Sequence, residues 1–266
     1  MTVRSSLTAI VLRTVDYGES DRVVTLFTRE RGKVAAFARG ARASKRRFGG
    51  GLEPFTLLSA EVRERAGSDM LGLDSVTVQR GFGGIRGDLA RIACAGYAAE
   101  LARELVRDHE PHDDLWTLLA GYLAALDAAP ATPGALRAFE LGALAAAGLA
   151  PRLDACARCG GPLGAEGEAG PIPPGRALRF DPAQGGVLCP ACGPAAGPGS
   201  ADLTAPGLEA LVRLSDGGLS AGGAPLGPAE ARELKDALTR FVEHHLGRRL
   251  KARGFLDEVG PVLGGG

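Results

Sequence analysis

The chain has 266 residues, 45% of them hydrophobic and 23% charged, with 31 basic and 31 acidic side chains. That length exceeds the usual single-core size and points to more than one domain. No apolar run approaches the ~20 residues that a membrane span needs. The N-terminal MTVRSSLTAIVLRT is followed by no small-residue cleavage site, so it does not read as a signal peptide. The expected setting is the cytoplasm, where thiols stay reduced and paired cysteines point to metal before disulfide.

The balanced net charge conceals a segregation. Residues 29–47, RERGKVAAFARGARASKRR, hold eight Lys or Arg against one acid, Glu30. Residues 86–140 carry nine acids against five arginines, and 232–253 turn basic again. Such local patches set the field that a polyanion meets.

In chain order, the first 80 residues read as strands, rich in Val, Leu, Phe and Thr and broken by turns such as Tyr17-Gly18-Glu19 and Arg31-Gly32. The predicted strands are 7–16, 22–30, 33–41, 55–65 and 69–80. Five short strands in this length suit a small closed barrel of the OB type, and an SH3-like barrel fits the pattern nearly as well. Within the third run, Val34, Ala36 and Ala38 share one face, and Lys33, Ala35, Phe37 and Arg39 share the other. With the first set inside the barrel, two cations and a ring project outward together, the pairing of a single-strand binder. Arg42, Lys45, Arg46 and Arg47 follow in a stretch of low apolar content, read as a mobile loop bordering the same surface. The alternative is a solvated charged loop with Phe37 in the core. Aromatic residues are only 5% of the chain, so binding is expected to be mostly electrostatic.

After Arg80 the period becomes helical. Ile85, Leu89, Ile92, Leu101 and Leu105 fall on one face, and 113–128 and 133–148 continue the pattern. Pro133 behind Thr132 fits a first helical position after a capping hydroxyl. Helical pattern resumes at 204–214 and at 228–246, which Pro228 opens. GFGGIRG at 81–87 imitates a dinucleotide-binding loop, but no second parallel strand with its acidic residue follows, and the stretch reads as a hinge. No phosphate-cradling Gly-x-x-x-x-Gly-Lys motif, paired carboxylates or nucleophile elbow stands out, so no enzyme is expected and no small-molecule substrate. Adjacent His244 and His245 point to different helix faces and are not read as joint metal ligands.

Four of the five cysteines lie between these helical segments. Cys156-Ala-Arg-Cys159 precedes Gly160, and Cys189-Pro-Ala-Cys192 precedes Gly193. Two such knuckles predict one tetrahedral zinc, bound through sulfur at roughly 2.3 Å, with each trailing glycine at positive φ. Four thiolates leave no open position for water, so the site is structural. Two disulfides or a redox Cys-x-x-Cys are the alternatives. LRFDPAQGGVL before Cys189 reads as a hairpin, and Cys94 as a small packing residue.

The run RTVDYGESDRVVTLFTRERGKVAAFARGAR followed by KRRFGGGLEPFT resembles the RecO family of bacterial recombination mediators. The resemblance extends over essentially the whole chain. It implies an α+β multidomain protein: an OB-type barrel at 1–81, a helical domain in two parts, 82–152 and 201–266, and an inserted four-cysteine zinc ribbon at 153–200. It further implies binding of single- and double-stranded DNA, annealing of complementary strands, and cooperation with RecR in loading RecA onto DNA coated by single-strand-binding protein. Lys33, Arg39 and Arg42 match basic positions of the family, while position 35, often basic there, is alanine. The alternative readings are a zinc-ribbon RNA-binding or translation-associated protein and a purely structural adaptor whose basic stripe is incidental.

Overall fold

In the computed structural model, which describes residues 3–65, 67–163 and 178–259, the five expected runs form β1 (Arg4–Tyr17), β2 (Asp21–Thr28), β3 (Gly32–Ala38), β4 (Leu57–Arg65) and β5 (Ser68–Arg80). They close into a barrel in the order β1-β2-β3-β5-β4, with β1 antiparallel to β4 and β3 parallel to β5. That closure is OB-like and decides between the two barrels the pattern allowed. Alternation works as the sequence predicts: Val34, Ala36 and Ala38 point inward, against Val24, Leu26, Leu58 and Val62. Small side chains at 36 and 38, both fully buried, suit the narrow interior of a five-stranded barrel.

The basic stretch after β3 differs from the mobile loop expected. It forms a short helix, α1 (Lys45–Phe48), and Phe48 is buried in the barrel core. Gly40 N donates to Asp21 Oδ1 at 2.7 Å, Arg42 N to Ser20 O at 3.0 Å, and Ser44 N to Gly40 O at 3.0 Å. An apolar plug at one end and backbone bonds at the other make an ordered strap. Low apolar content hid it, because one phenylalanine suffices to pin a dozen residues.

The chain divides into two compact units, Met1–Pro130 and Ala131–Gly266. The first adds three helices to the barrel: α2 (Gly83–Arg86), α3 (Leu89–Leu105) and α4 (Asp113–Ala128). Asp88 caps α3 by accepting from Arg91 N at 2.9 Å. Residues 81–87, the imitation nucleotide loop, hold α2, and Gly84 N donates to Asp127 Oδ1 at 2.8 Å. Two ties bring α4 to β2: Trp116 Nε1 donates to Phe27 O at 3.0 Å, and the Arg29 guanidinium lies 5.5 Å from the Trp116 ring centre. Gly32, at φ +64°, approaches the Glu110 carbonyl so closely that a Cβ there would collide with it.

The second unit contains α5 (Pro133–Ala146), a three-stranded sheet of β6 (Leu178–Asp181), β7 (Gly186–Leu188) and β8 (Ala201–Leu203), then α6 (Ala205–Ala221), α7 (Pro228–Leu246) and α8 (Ala252–Val259). Thr132 caps α5 and Pro133 opens it, as expected. The sheet order is β7-β6-β8, and β6 with β7 is the predicted hairpin. Phe180 of β6 meets Phe241 of α7 edge-on, with ring centres 5.5 Å apart. The α6 helix runs past the expected end near 214, with a break at Gly218, whose φ is +54°. Residues 164–177, inside the expected ribbon, lie outside the described residues. Among the described residues, no helix is long and apolar enough to cross a membrane.

Candidate metal centre and cationic barrel face

Local backbone geometry brings the four predicted cysteines together. Gly160 N donates to Cys156 O at 2.9 Å, turning the first knuckle, and Gly160 takes φ +72°. The second knuckle turns through Cys192 N and Gly193 N, both donating to Cys189 O. Gly193 departs from expectation: it opens a 3-10 turn over Gly193–Ala195 and does not take positive φ. A Cβ at 193 would stand 3.2 Å from Arg179 Cγ, so closeness to β6, not backbone handedness, favours glycine there. Ala157 N donates to Val187 O at 2.8 Å, which fastens the first knuckle to β7 beside the second.

The sulfurs of Cys156, Cys159, Cys189 and Cys192 all lie within 4.8 Å of one another. Cys159 and Cys189 Sγ are 3.9 Å apart, close to the ~3.8 Å edge of a tetrahedron of thiolates about zinc. No disulfide joins Cys156, Cys159, Cys189 or Cys192 among the described residues. Burial opposes ionisation of Cys156, but backbone N–H groups of Cys159, Cys189 and Arg158 outweigh it and draw that thiol down to about 6. Hydrogen bonding within the cluster, to Cys189 foremost, together with burial, pushes Cys192 up to about 12. Cys156 is thus favoured as thiolate while Cys192 holds its proton, an arrangement that a bound cation would relieve by displacing that proton. The donor set fits a metal ion. Cys94 is buried inside α3, as the packing reading expects.

On the barrel, the basic run splits in two. Arg29 is bonded to Asp113 and Arg31 to Glu64, while Lys33 Nζ donates to Arg103 O at 2.9 Å and stands 3.2 Å from Asp108. With only 19% of its side chain exposed, Lys33 is committed to the α3 end of the first unit. In the part of the run that follows β3, residues 39–47, no cation forms an ion pair with an acid among the described residues. Arg39, Lys45 and Arg46 are exposed without a partner among the described residues. Arg42 donates to Glu19 O at 3.1 Å. Arg47 donates to Arg39 O at 2.7 Å and Ser44 Oγ at 3.1 Å, with its guanidinium over the Phe48 ring. These bonds to neutral acceptors fix two guanidinium groups without neutralising them. Phe37 is half-buried on the outer face, its ring edge-on to Tyr17 with centres 5.6 Å apart.

The expected second cationic surface is largely neutralised. Lys235, Arg249 and Arg253 converge on Asp257, at 2.8, 2.8 and 3.1 Å. Arg249 also lies 3.8 Å from Glu243. Sequence reading counted these cations without their acid because Asp257 sits just past the basic run.

Tyr17 was read only as part of a turn. Extending the alternation back along β1 would have placed Arg13, Val15 and Tyr17 on the face that carries Phe37. The register Val15–Val23 and Val23–Phe37 joins them across the sheet, and that pairing is what local pattern lacks.

Comparison with known families decides what carries these features. The family described as Recombination protein O N terminal matches residues 1–82, and Recombination protein O C terminal matches residues 86–254. The chain belongs to the RecO family. It is 69% identical over 262 residues to the DNA repair protein RecO of Anaeromyxobacter dehalogenans (strain 2CP-1 / ATCC BAA-258), covering 98% of this chain and 99% of that one. It is 49% identical over 252 residues to that of Myxococcus xanthus (strain DK1622), covering 95% and 96%. With the DNA repair protein RecO of Geobacter sulfurreducens it shares 42% over 257 residues, covering 95% and 97%. The seam between the two RecO matches falls at α2, just beyond the last barrel strand. The RecO N-terminal match therefore contains the whole barrel and strap. The C-terminal match contains all four cysteines.

Proposed function

We propose that this RecO-family protein is a non-catalytic recombination mediator that binds single- and double-stranded DNA and anneals complementary strands. The observation that carries this reading is the ordered strap, which holds Arg39, Arg42, Lys45, Arg46 and Arg47 at one end of the barrel with no acidic partner among the described residues. Phosphates can meet these cations without first displacing a carboxylate, and counterion release then drives binding. Phe37 adds an aromatic surface beside them. Lys33 supports the face from beneath and is not an open contact in this reading.

The working division is a DNA-binding barrel at 1–81, helical parts at 82–152 and 201–266, and a ribbon at 153–200. The metal is zinc, which four sulfur donors suit, and Cys156, Cys159, Cys189 and Cys192 would hold it. When bound, zinc ties the two knuckles together and offers no open coordination position. The chain's own contribution is to fasten both knuckles to the β6–β7 hairpin. The partners, on family grounds, are RecR and single-strand-binding protein, with RecA loading as the outcome in the cytoplasm at the nucleoid.

Annealing draws its energy from base pairing once the cations have screened strand repulsion, so no nucleotide hydrolysis is required. A stopped-flow experiment tests it: complementary strands, naked or coated with single-strand-binding protein, are mixed at low salt without ATP. Faster pairing with the protein, fading as salt rises, is the expected result. Pairing no faster than in its absence would refute the mediator reading, and stronger binding of RNA than DNA oligomers in competition would favour the translation-associated one.

A further inference from the structure

The outer barrel face is covered at one end and open at the other. Phe27 of β2 is fully buried, its carbonyl taken by Trp116, and Lys33 beside it in the β2–β3 register is drawn onto α3. Two and four residues further along each strand the face reaches solvent. There Tyr17, Val23, Phe37, Ser68, Met70 and Leu71 line a concavity of about 280 Å³. Tyr17 is 60% exposed and Val15 42%, an unusual place for an aromatic ring to lie bare. The ring of Phe37 meets that of Tyr17 at 79°, so one ring stands as a wall and the other as a floor.

Cations follow Phe37 and Tyr17 along the chain, while exposed Asp69 stands between lining residues Ser68 and Met70. Arg39 lies two residues beyond Phe37, just past the end of β3, and Arg42 is bonded to the carbonyl of Glu19, two residues beyond Tyr17. Arg13, exposed, precedes Val15 by two residues on β1 and pairs with Thr25 of β2. A small aromatic recess near cations is complementary to a flat apolar ring that carries its own phosphates.

Building on the DNA-binding reading above, we propose that the Tyr17–Phe37 notch receives one unstacked nucleobase of a single strand while Arg39 and Arg42 hold the adjoining phosphates. A base within a duplex has both faces occupied by its neighbours and cannot enter. The notch therefore gives the barrel a preference for unpaired strands that a phosphate-reading cationic surface alone lacks. During annealing it would hold a base out until its complement arrives, and release it into the growing stack.

The test compares wild type with Tyr17→Ala and Tyr17→Phe on three probes. These are an oligodeoxythymidylate carrying one 2-aminopurine, a strand of the same length with abasic sugars, and a duplex. Expected for the wild type is quenching of the 2-aminopurine fluorescence on binding. Tyr17→Ala should abolish the quenching and weaken the base-bearing strand roughly tenfold, the scale of one stacked base, while abasic strand and duplex bind as before. Its salt slope should stay that of the wild type, and Tyr17→Phe should restore both quenching and affinity. Equal binding of the base-bearing strand by Tyr17→Ala and wild type overturns the proposal and leaves the notch to a protein partner. Equal weakening on the abasic strand overturns it too, since the loss would then lie in phosphate contacts. Failure of wild type to bind any probe would instead sink the DNA-binding reading on which the notch rests.

Discussion

The ammonium of Lys33 lies 3.2 Å from the carboxylate of Asp108, where strand alternation alone would leave it facing solvent. Its second bond, to the Arg103 carbonyl at 2.9 Å, sits at the C-terminal end of α3, where a cation is favoured by the helix dipole. Lys33 lies on β3 and Arg39 just past its end, yet they differ in role, and mutation should separate them. Lys33→Glu should lower stability by ~1–3 kcal/mol, because it sets a carboxylate against Asp108 and strands a helix-end carbonyl. Arg39→Glu should leave the melting temperature unchanged, weaken single-strand binding several-fold, and flatten its salt slope by about 0.7. Thermal melts beside salt titrations check both. Equal DNA defects at unchanged stability would contradict the assignment.

Gly32 offers a sharper probe of the same junction. It combines φ +64° with a close approach to the Glu110 carbonyl, so Gly32→Ala meets both a backbone and a steric penalty. A loss of about 2 kcal/mol or more is expected in chemical denaturation. Gly18, also at positive φ but with open space around it, should lose clearly less as alanine.

Much of this architecture could be read from the chain. The barrel strands came from alternation, and α5 from Thr132 and Pro133, because those signals are local. The cysteine cluster was legible because each knuckle is four residues long and closes through its own backbone. What escaped was non-local. Asp108 and Asp257 neutralise cations that a charge count treats as free, and Phe48 anchors a strap by inserting one ring into a core built from distant strands. Tyr17 and Phe37 meet only through the β1–β2–β3 register.

The metal centre yields a stoichiometric prediction. Protein purified without chelator should carry one zinc per chain by elemental analysis. Titration with a thiol reagent should find Cys156, Cys159, Cys189 and Cys192 protected until metal is withdrawn. Cys189→Ser should lower zinc occupancy and loosen the ribbon, since folding of such sites is coupled to binding. Cys94→Ser should leave zinc content unchanged, because Cys94 lies in α3 outside the cluster. Metal-free protein with the four cysteines paired as disulfides would reverse the assignment.

Asp257 gives the last prediction, which joins stability to DNA binding. Partial burial opposes its charge, but hydrogen bonds from Lys235 and Arg253 and their positive charges outweigh that and hold the carboxyl at about 2 instead of 3.8. A depressed carboxylate pKa stabilises the fold above the unfolded value, and that contribution is lost as pH falls from ~4 towards ~2. The shift corresponds to at most ~2.5 kcal/mol at 1.36 kcal/mol per unit. With 31% of the side chain exposed, screening reduces this to ~1 kcal/mol. Asp257→Asn should therefore melt earlier than wild type at pH 6, and the difference should vanish near pH 2. The same substitution removes the partner that Lys235, Arg249 and buried Arg253 share, and of these the exposed Lys235 and Arg249 are the ones a strand can reach. If the C-terminal cations are silent in the native protein because Asp257 holds them, the variant should bind single strands more tightly at low salt, with a steeper salt slope. Charge reversal at Arg240, exposed on α7 with no ion pair to Asp257, should meanwhile weaken wild-type binding less than Arg39→Glu does. Tighter binding by Asp257→Asn, alongside a small Arg240 effect, would place the native DNA contacts on the barrel strap. A large Arg240 effect would restore the terminal helices as a second contact surface.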